Sequence, residues 1–394
     1  MATTDADRPF ILYCVPSAPG HMIPAIQICG HLVSRGFDVT ITGIEPFRPL
    51  IESIGAHLAP TLGLMGNMAA FFEMFPEIGR NAATNTSPNI DKVLETVFVD
   101  MIPSGLETLR FGLAELQRRD PTRRIIILSD TAFSGTLAFK LAGEMALPPG
   151  FQGPLPKTLG ISVVPAMFTS VDTGPWGTAL GYDPSEQGRA RNKLVARWAY
   201  RSALSAEPMR ERQRQALRMC GIPKSVDSLF GEHAGVIDHG IGDAGFVCHD
   251  TTLQMCIPSL EYPVSDWPAS IKFGGTLPVK PLAAGMEHPA WFDEVKAAGR
   301  QGRDAVDRRR VVMVAQGTVG VDPELLVLPT VKGLAERDDL LVVVILCVRG
   351  ATLDTRLEEF PDQQLPPNVR VVDYFPYDAV LEHADVFVTN SGYG

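Results

Sequence analysis

Two residues far apart in the chain could together remove a proton from a hydroxyl group. His21 lies in the run Gly20-His21-Met22-Ile23-Pro24, and Asp130 closes the apolar run Ile125-Ile126-Ile127-Leu128-Ser129. An imidazole with an unperturbed pKa of about 6.5 can act as a general base near neutral pH. It works best when a carboxylate engages its second nitrogen, fixing the tautomer and stabilising the imidazolium. A plainer reading stands beside this one, in which each residue caps its own turn. The remaining histidines (His31, His57, His233, His239, His249, His288, His383) show no metal-ligand spacing, so no metal is expected.

A second set of residues suits a phosphate and a base. Gln316-Gly317-Thr318 follows the apolar run Val311–Ala315, and Asn390-Ser391-Gly392-Tyr393-Gly394 follows Val386-Phe387-Val388-Thr389. Glycine lets a backbone approach a phosphate closely, and a threonine hydroxyl and backbone amides can donate to it. Between the two turns lies Tyr374-Phe375-Pro376-Tyr377, whose rings could stack on a nucleobase. A third set is apolar: Met65, Phe71, Phe72 and Phe75, broken into loop-like pieces by Gly63, Gly66 and Pro76. It reads either as core or as the adaptable wall of an apolar pocket, with the pocket preferred, and Met167, Phe168 and Trp176 are further candidates for that wall.

The elements that must position these groups alternate between strand and helix. Phe10–Val15 is a short apolar run ending at Pro16, the pattern of a central parallel strand. Helical spacing of Ile23, Ile26, Leu32 and Val33 follows, a stop at Gly36, and a second strand over Phe37–Thr42. This places His21 at the carboxyl edge of a sheet, where open α/β folds bind ligands. Further strands are expected at Arg124–Leu128 and Gly160–Val164, with helices over Asn89–Arg119 and Val195–Leu217. A second alternation runs through strands at Val311–Ala315, Leu341–Leu346, Val369–Val372 and Ala384–Thr389, with a short helix at Asp378–His383. Prolines and glycines recur between Pro258 and Arg310. The reading is therefore α/β with two Rossmann-like domains: residues 1–257, a linker at 258–310 and a second domain at 311–394. Gly240-Ile241-Gly242-Asp243-Ala244-Gly245 matches G-x-G-x-x-G as a string, but no strand precedes it and a strand-like run, Phe246-Val247-Cys248, follows, so it is not read as a dinucleotide site.

Bulk properties narrow the partners. The 394 residues carry a net charge of −10, which excludes a dominant basic face for nucleic acid. Local basic clusters (Arg189, Arg191, Lys193, Arg197; Arg210, Arg212, Arg214, Arg218) read as solvated helix faces. Six cysteines without a C-x-x-C pair and a polar N-terminus without an apolar signal segment suit reduced thiols in the cytoplasm. No apolar stretch reaches membrane-spanning length.

Taken in order, these motifs resemble the inverting, two-lobed (GT-B type) UDP-dependent glycosyltransferases that act on lipophilic small molecules. The resemblance runs from Gly20-His21-x-x-Pro24 to Thr389-Asn390-Ser391-Gly392-Tyr393. It implies that the first lobe holds a lipophilic acceptor, with His21 deprotonating its hydroxyl and Asp130 pairing with His21. It implies that the second lobe holds a UDP-sugar co-substrate, with UDP-glucose the expected donor and no metal needed. Gly317 and Thr318 would then meet the diphosphate, Tyr374 to Tyr377 the uracil, and Asn390, Gly392 and Tyr393 the phosphates. The chain departs from the family pattern at Tyr377, where glutamine is common, and at Asn390, often histidine. It also stops at Gly394, before the helix and acidic residues that usually hold ribose and sugar. The second domain is accordingly expected to be incomplete, its last strand fourth in an order 3-2-1-4-5-6 with an open edge at Val386–Val388. The alternatives are a non-catalytic binder of apolar acceptors and, less favoured, a nucleotide-sugar epimerase of the same shape.

Overall fold

The computed structural model describes residues 8–67, 90–176, 178–202, 207–277, 288–300, 308–317, 322–347, 349–354 and 364–390. These fall into two compact units, the first reaching to Leu277 and the second beginning at Pro278.

The first unit is built on seven parallel strands: β1 (Phe10–Cys14), β2 (Asp38–Gly43), β3 (His57–Pro60), β4 (Ile125–Asp130), β5 (Lys157–Ser162), β6 (Thr251–Gln254) and β7 (Ile271–Phe273). Their spatial order is β3-β2-β1-β4-β5-β6-β7. Every residue of β1 is buried, as its unbroken apolar run requires of a strand covered on both faces. One face packs on the helix Pro19–Ser34 through Met22, Ala25, Ile26 and Cys29. That helix ends before Gly36, whose φ of +82° makes the turn into β2. The other face packs on the helix Ile102–Arg119, which presents Leu106, Leu109, Leu113 and Leu116 at helical spacing. This helix meets the helix Gly135–Ala142 at two glycines: a Cβ on Gly105 would lie 2.8 Å from Gly135 Cα. The close approach holds the chain that leaves β4 against the sheet.

The second unit carries β8 (Arg310–Ala315), β9 (Leu340–Ile345), β10 (Val369–Val372) and β11 (Val386–Thr389), all parallel and ordered β10-β9-β8-β11. The last strand is thus fourth, beside the first, as expected. Helices Trp291–Arg300 and Tyr377–Leu381 cover one face and Val327–Leu334 the other. Asp385 ties the starts of β8 and β11 together, accepting from Val311 N at 2.9 Å and from both terminal nitrogens of Arg308. Among the described residues β11 pairs with β8 alone, and its Val386 and Phe387 are exposed.

The segment 258–310, read as a linker, is divided between the two units. β7 extends the first sheet, and Phe292, Val295 and Ala298 enter the second core. Short strands such as β3, β6 and β7 lack the apolar length that would announce them. The stretch 195–217 is two helices, Glu186–Ser202 and Glu207–Met219. Phe246 and Val247, expected in a strand, lie in the helix Asp243–Val247.

Candidate active site

Parallel pairing puts the carboxyl ends of β1 and β4 side by side, with Cys14 opposite Ser129. His21 lies in the first turn of the helix that follows β1, and Asp130 is the last residue of β4. The two side chains meet: His21 Nδ1 lies 2.9 Å from Asp130 Oδ2. Asp130 is 1% exposed and His21 22%. The other carboxylate oxygen accepts from Ala132 N at 2.8 Å. Asp130 therefore both shapes its own turn and holds the imidazole, whereas the His21 ring faces Asp130 and the helix Pro19–Ser34 has no side-chain cap at its start. With Nδ1–H donated to the carboxylate, Nε2 carries the free lone pair and is the atom that can accept a proton. Burial pulls the imidazole pKa down, but the charge and hydrogen bond of Asp130 outweigh it and leave the pKa above its ordinary 6.5.

The floor of this dyad is neutral. Tyr13 on β1 is fully buried; burial first, then the Asp130 charge and Cys29, push its hydroxyl pKa well above the ordinary value. His249 is buried against β5, and burial, helped by the Lys140 charge, brings it down to about 4. Ser17, Thr61 and Ser134 follow β1, β3 and β4, and each has a buried hydroxyl with no partner among the described residues. All three stand at the carboxyl edge of the sheet, buried from solvent. Single serines and threonines carry no sequence signal.

The apolar candidates separate. Met65 and Phe168 are core side chains, 3% and 6% exposed, and Met167 packs against the same cluster. Trp176 is 41% exposed. Phe71, Phe72 and Phe75 lie outside the described residues. Beside Phe168 stands a second His–carboxylate pair, His239 and Asp243, four residues apart and legible as such. Its Nδ1 lies 3.0 Å from Asp243 Oδ2 and its Nε2 3.2 Å from the His233 carbonyl, and its ring stacks on Phe230 at 4.0 Å. Both nitrogens face acceptors, so although burial disfavours the charge, the Asp243 contact raises the pKa. No lone pair remains for catalysis, and the pair is structural. It also explains the Gly240–Gly245 string: Asp243 accepts from Gly240 N, and a Cβ on Gly245 would lie 2.3 Å from the Thr131 carbonyl.

In the second unit the turns after β8, β9, β10 and β11 share one edge. Gly317 has a φ of +79°, and a Cβ there would meet nothing within 4 Å. Tyr374 is 46% exposed with the Arg349 guanidinium 4.1 Å from its ring centre. Asp373 clamps this pair, accepting from Gly350 N at 2.7 Å and Tyr374 N at 2.8 Å. Tyr377 starts a helix and its hydroxyl lies 2.5 Å from Cys347 Sγ. Asn390 is exposed just beyond β11. Phe375 corrects the sequence reading: it is 3% exposed, packed 5.0 Å from Phe292 and 5.3 Å from Trp291, and faces the core. A four-residue run in which every ring looks equivalent cannot say which ring points inward. Thr318, Gly392 and Tyr393 lie outside the described residues. No group of three or more metal-ligating side chains occurs among the described residues.

Comparison with known proteins places these features in context. No protein-family model matches the chain. It is 28% identical to UDP-glucosyltransferase 1 of Beauveria bassiana (strain ARSEF 2860), over 96% of this chain and 74% of that one. It is 26% identical to UDP-glucosyltransferase B1 of Starmerella bombicola, over 98% and 78%. Among solved structures it superposes on the glycotransferase of kitacinnamycin with a TM-score of 0.57 at 20% identity, covering 98% of this chain and 76% of that one. The calicheamicin glycosyltransferase CalG4 gives 0.52 at 16%, covering 97% and 75%. These likenesses establish the fold.

Proposed function

We infer that this chain, which belongs to the UDP-glycosyltransferases of the two-domain GT-B fold, moves a sugar from a UDP-sugar to a hydroxyl of a lipophilic small molecule with inversion at the anomeric carbon. The observation that carries the reading is the His21–Asp130 hydrogen bond at the carboxyl edge of the first sheet. His21 Nε2 takes the acceptor hydroxyl proton as the oxygen bonds to the anomeric carbon, and the bond from that carbon to the diphosphate breaks. Asp130 stabilises the imidazolium that results. The leaving diphosphate gains charge, which donors in the turns after β8 and β11 (Gly317, Thr318, Asn390, Gly392, Tyr393) are suited to bind. Tyr374 offers its exposed ring to the base, and Tyr377 stands beside it in place of a glutamine.

On this reading residues 1–257 serve the acceptor and 311–394 the nucleotide sugar, with UDP-glucose the donor and the cytoplasm the compartment. On the same reading Met167 and Trp176 belong to the acceptor wall, and Phe71, Phe72 and Phe75 are assigned to it by sequence alone. The catalytic names of the relatives weigh for transfer and against a non-catalytic acceptor binder. The test is His21→Ala in a product assay with UDP-glucose and a panel of phenolic and sterol-like acceptors. Loss of the base should lower kcat by about 10²–10⁴-fold with UDP affinity retained. Unchanged turnover overturns the assignment.

A further inference from the structure

The turns at the carboxyl edge of the second sheet hold one basic residue. Residues 316–322, 346–354, 373–376 and 390–394 follow β8, β9, β10 and β11, and Arg349 is the only lysine or arginine in them. The same turns carry Asp322, Asp354 and Asp373. Without Arg349 they offer a diphosphate neutral donors and three carboxylates.

Arg349 also stands apart from four other arginines of its unit. Arg308 is paired with Asp385, Arg337 with Asp339, and Arg309 and Arg370 with Glu294. The Arg349 guanidinium instead lies over the Tyr374 ring, 4.1 Å from its centre, and both residues are exposed. The charge of Asp373 faces it, but both carboxylate oxygens are taken by backbone amides, of Gly350 at 2.7 Å and of Tyr374 at 2.8 Å. An exposed cation is held only weakly on a ring face, and a charge-assisted bond to phosphate is stronger.

Position favours that exchange. The order β10-β9-β8-β11 sets the end of β9 between the turn of Tyr374 and the turns of Gly317 and Asn390. Neighbouring strands lie about 4.8 Å apart, so an arginine rooted after β9 can reach to either side. Asp373 ties Gly350 and Tyr374 to one carboxylate, which fixes the root of this arm while its guanidinium stays in solvent. We propose that Arg349 is a diphosphate-binding arm, which leaves the Tyr374 ring when a nucleoside diphosphate binds and bonds to its phosphates through the guanidinium fork. The ring face it uncovers is then open to the base. This role rests on the nucleotide-sugar reading above and supplies the cation which that reading lacks, beside the group that gains charge as it leaves.

The test is calorimetric titration of the 394-residue protein with uridine and with UDP, in low and high salt. Arg349→Gln should weaken UDP binding by about 10–100-fold and leave uridine binding no weaker, because only UDP carries the charge. Arg349→Lys keeps the charge without the fork and should recover part of the UDP loss. High salt should weaken UDP binding more steeply in the wild type than in Arg349→Gln. Arg337→Gln, before β9 and paired with Asp339, should leave both ligands unchanged. Thermal melts matching the wild type keep the loss assignable to the site. A uridine loss equal to the UDP loss overturns the proposal and makes Arg349 a prop for the Tyr374 ring. UDP affinity indifferent to Arg349→Gln overturns it too, while UDP binding by the wild type keeps the nucleotide reading. A wild type that binds neither ligand sinks both.

Discussion

Replacing Asp130 by asparagine tests the dyad most sharply, because the structure sets two demands that asparagine cannot meet together. In the wild type one carboxylate oxygen accepts from Ala132 N at 2.8 Å and the other faces His21 Nδ1 at 2.9 Å. Asparagine has one acceptor. If its oxygen keeps the Ala132 amide, its NH₂ faces Nδ1, which must become an acceptor, and the ring proton moves to Nε2. The base is then blocked at the atom that should receive the acceptor proton. If the amide flips to keep Nδ1–H, its NH₂ opposes the Ala132 N–H, and two donors clash at a site 1% exposed. The first arrangement costs activity; the second leaves buried donors unmade, about 1–3 kcal/mol. Folding free energy favours the first, so stability should fall little and kcat by about 10²–10⁴-fold. The pH profile adds a sign. The charge of Asp130 is what holds the His21 pKa above 6.5 against burial. Without it, burial alone acts and the acidic limb of kcat/KM moves to lower pH while the plateau drops. The assay is the initial rate of UDP release across pH 5–9 (about four units, spanning the imidazole range), beside a thermal melt. A normal plateau with a sharply lowered Tm, or an acidic limb that stays or moves up, refutes the reasoning and leaves Asp130 as a turn cap.

Three other outcomes follow from particular contacts. Gly160→Ala places a Cβ 2.4 Å from the His249 ring and 2.7 Å from Thr252 Oγ1, both buried, and should destabilise the first unit by about 1–3 kcal/mol in urea unfolding; a neutral effect means the ring has room to move. His249 is lowered to about 4 in the fold, so the unfolded chain binds its proton first and stability falls as pH drops from 6.5 toward 4, by about 3 kcal/mol at most. His21 and His239, raised by their carboxylates, run the other way, adding stability at low pH that is lost as pH rises through their folded values, so the check is the difference in slope between wild type and His249→Gln, which should flatten the acid decline. Tyr374→Ala should weaken UDP binding in calorimetric titration by about 1–3 kcal/mol with the melt unchanged, whereas Phe375→Ala should cost about 3–5 kcal/mol of stability; the reverse pattern exchanges the roles of the two rings.

Periodicity and turn chemistry determined a good deal by themselves. The apolar runs of β1, β4, β8 and β9 announce strands buried on both faces, and two rounds of strand and helix announce two doubly wound units. Position alone then set His21 and Asp130 at one sheet edge, because parallel strands in one sheet end on the same side. Order in space came from the family resemblance and not from the pattern: β11 beside β8 is what the order 3-2-1-4-5-6 implies. The tertiary structure decided what depends on facing. Whether Phe375 or Tyr374 meets solvent turns on how the chain leaves β10, and adjacent aromatic residues in sequence are indistinguishable until the helix Trp291–Arg300 buries one of them. Likewise β3, β6 and β7 are three or four residues long, too short to show a period, and exist because a neighbouring strand supplies their hydrogen bonds. The basic residues of 189–197 and 210–218 look alike in sequence; only folding sets Glu95 and Asp100 beside Arg212, and Asp172 and Asp238 beside Arg189 and Arg197. A charge is read from the chain, but whether it is spent inside the protein is decided by the partners that distance in space, and not in sequence, brings to it.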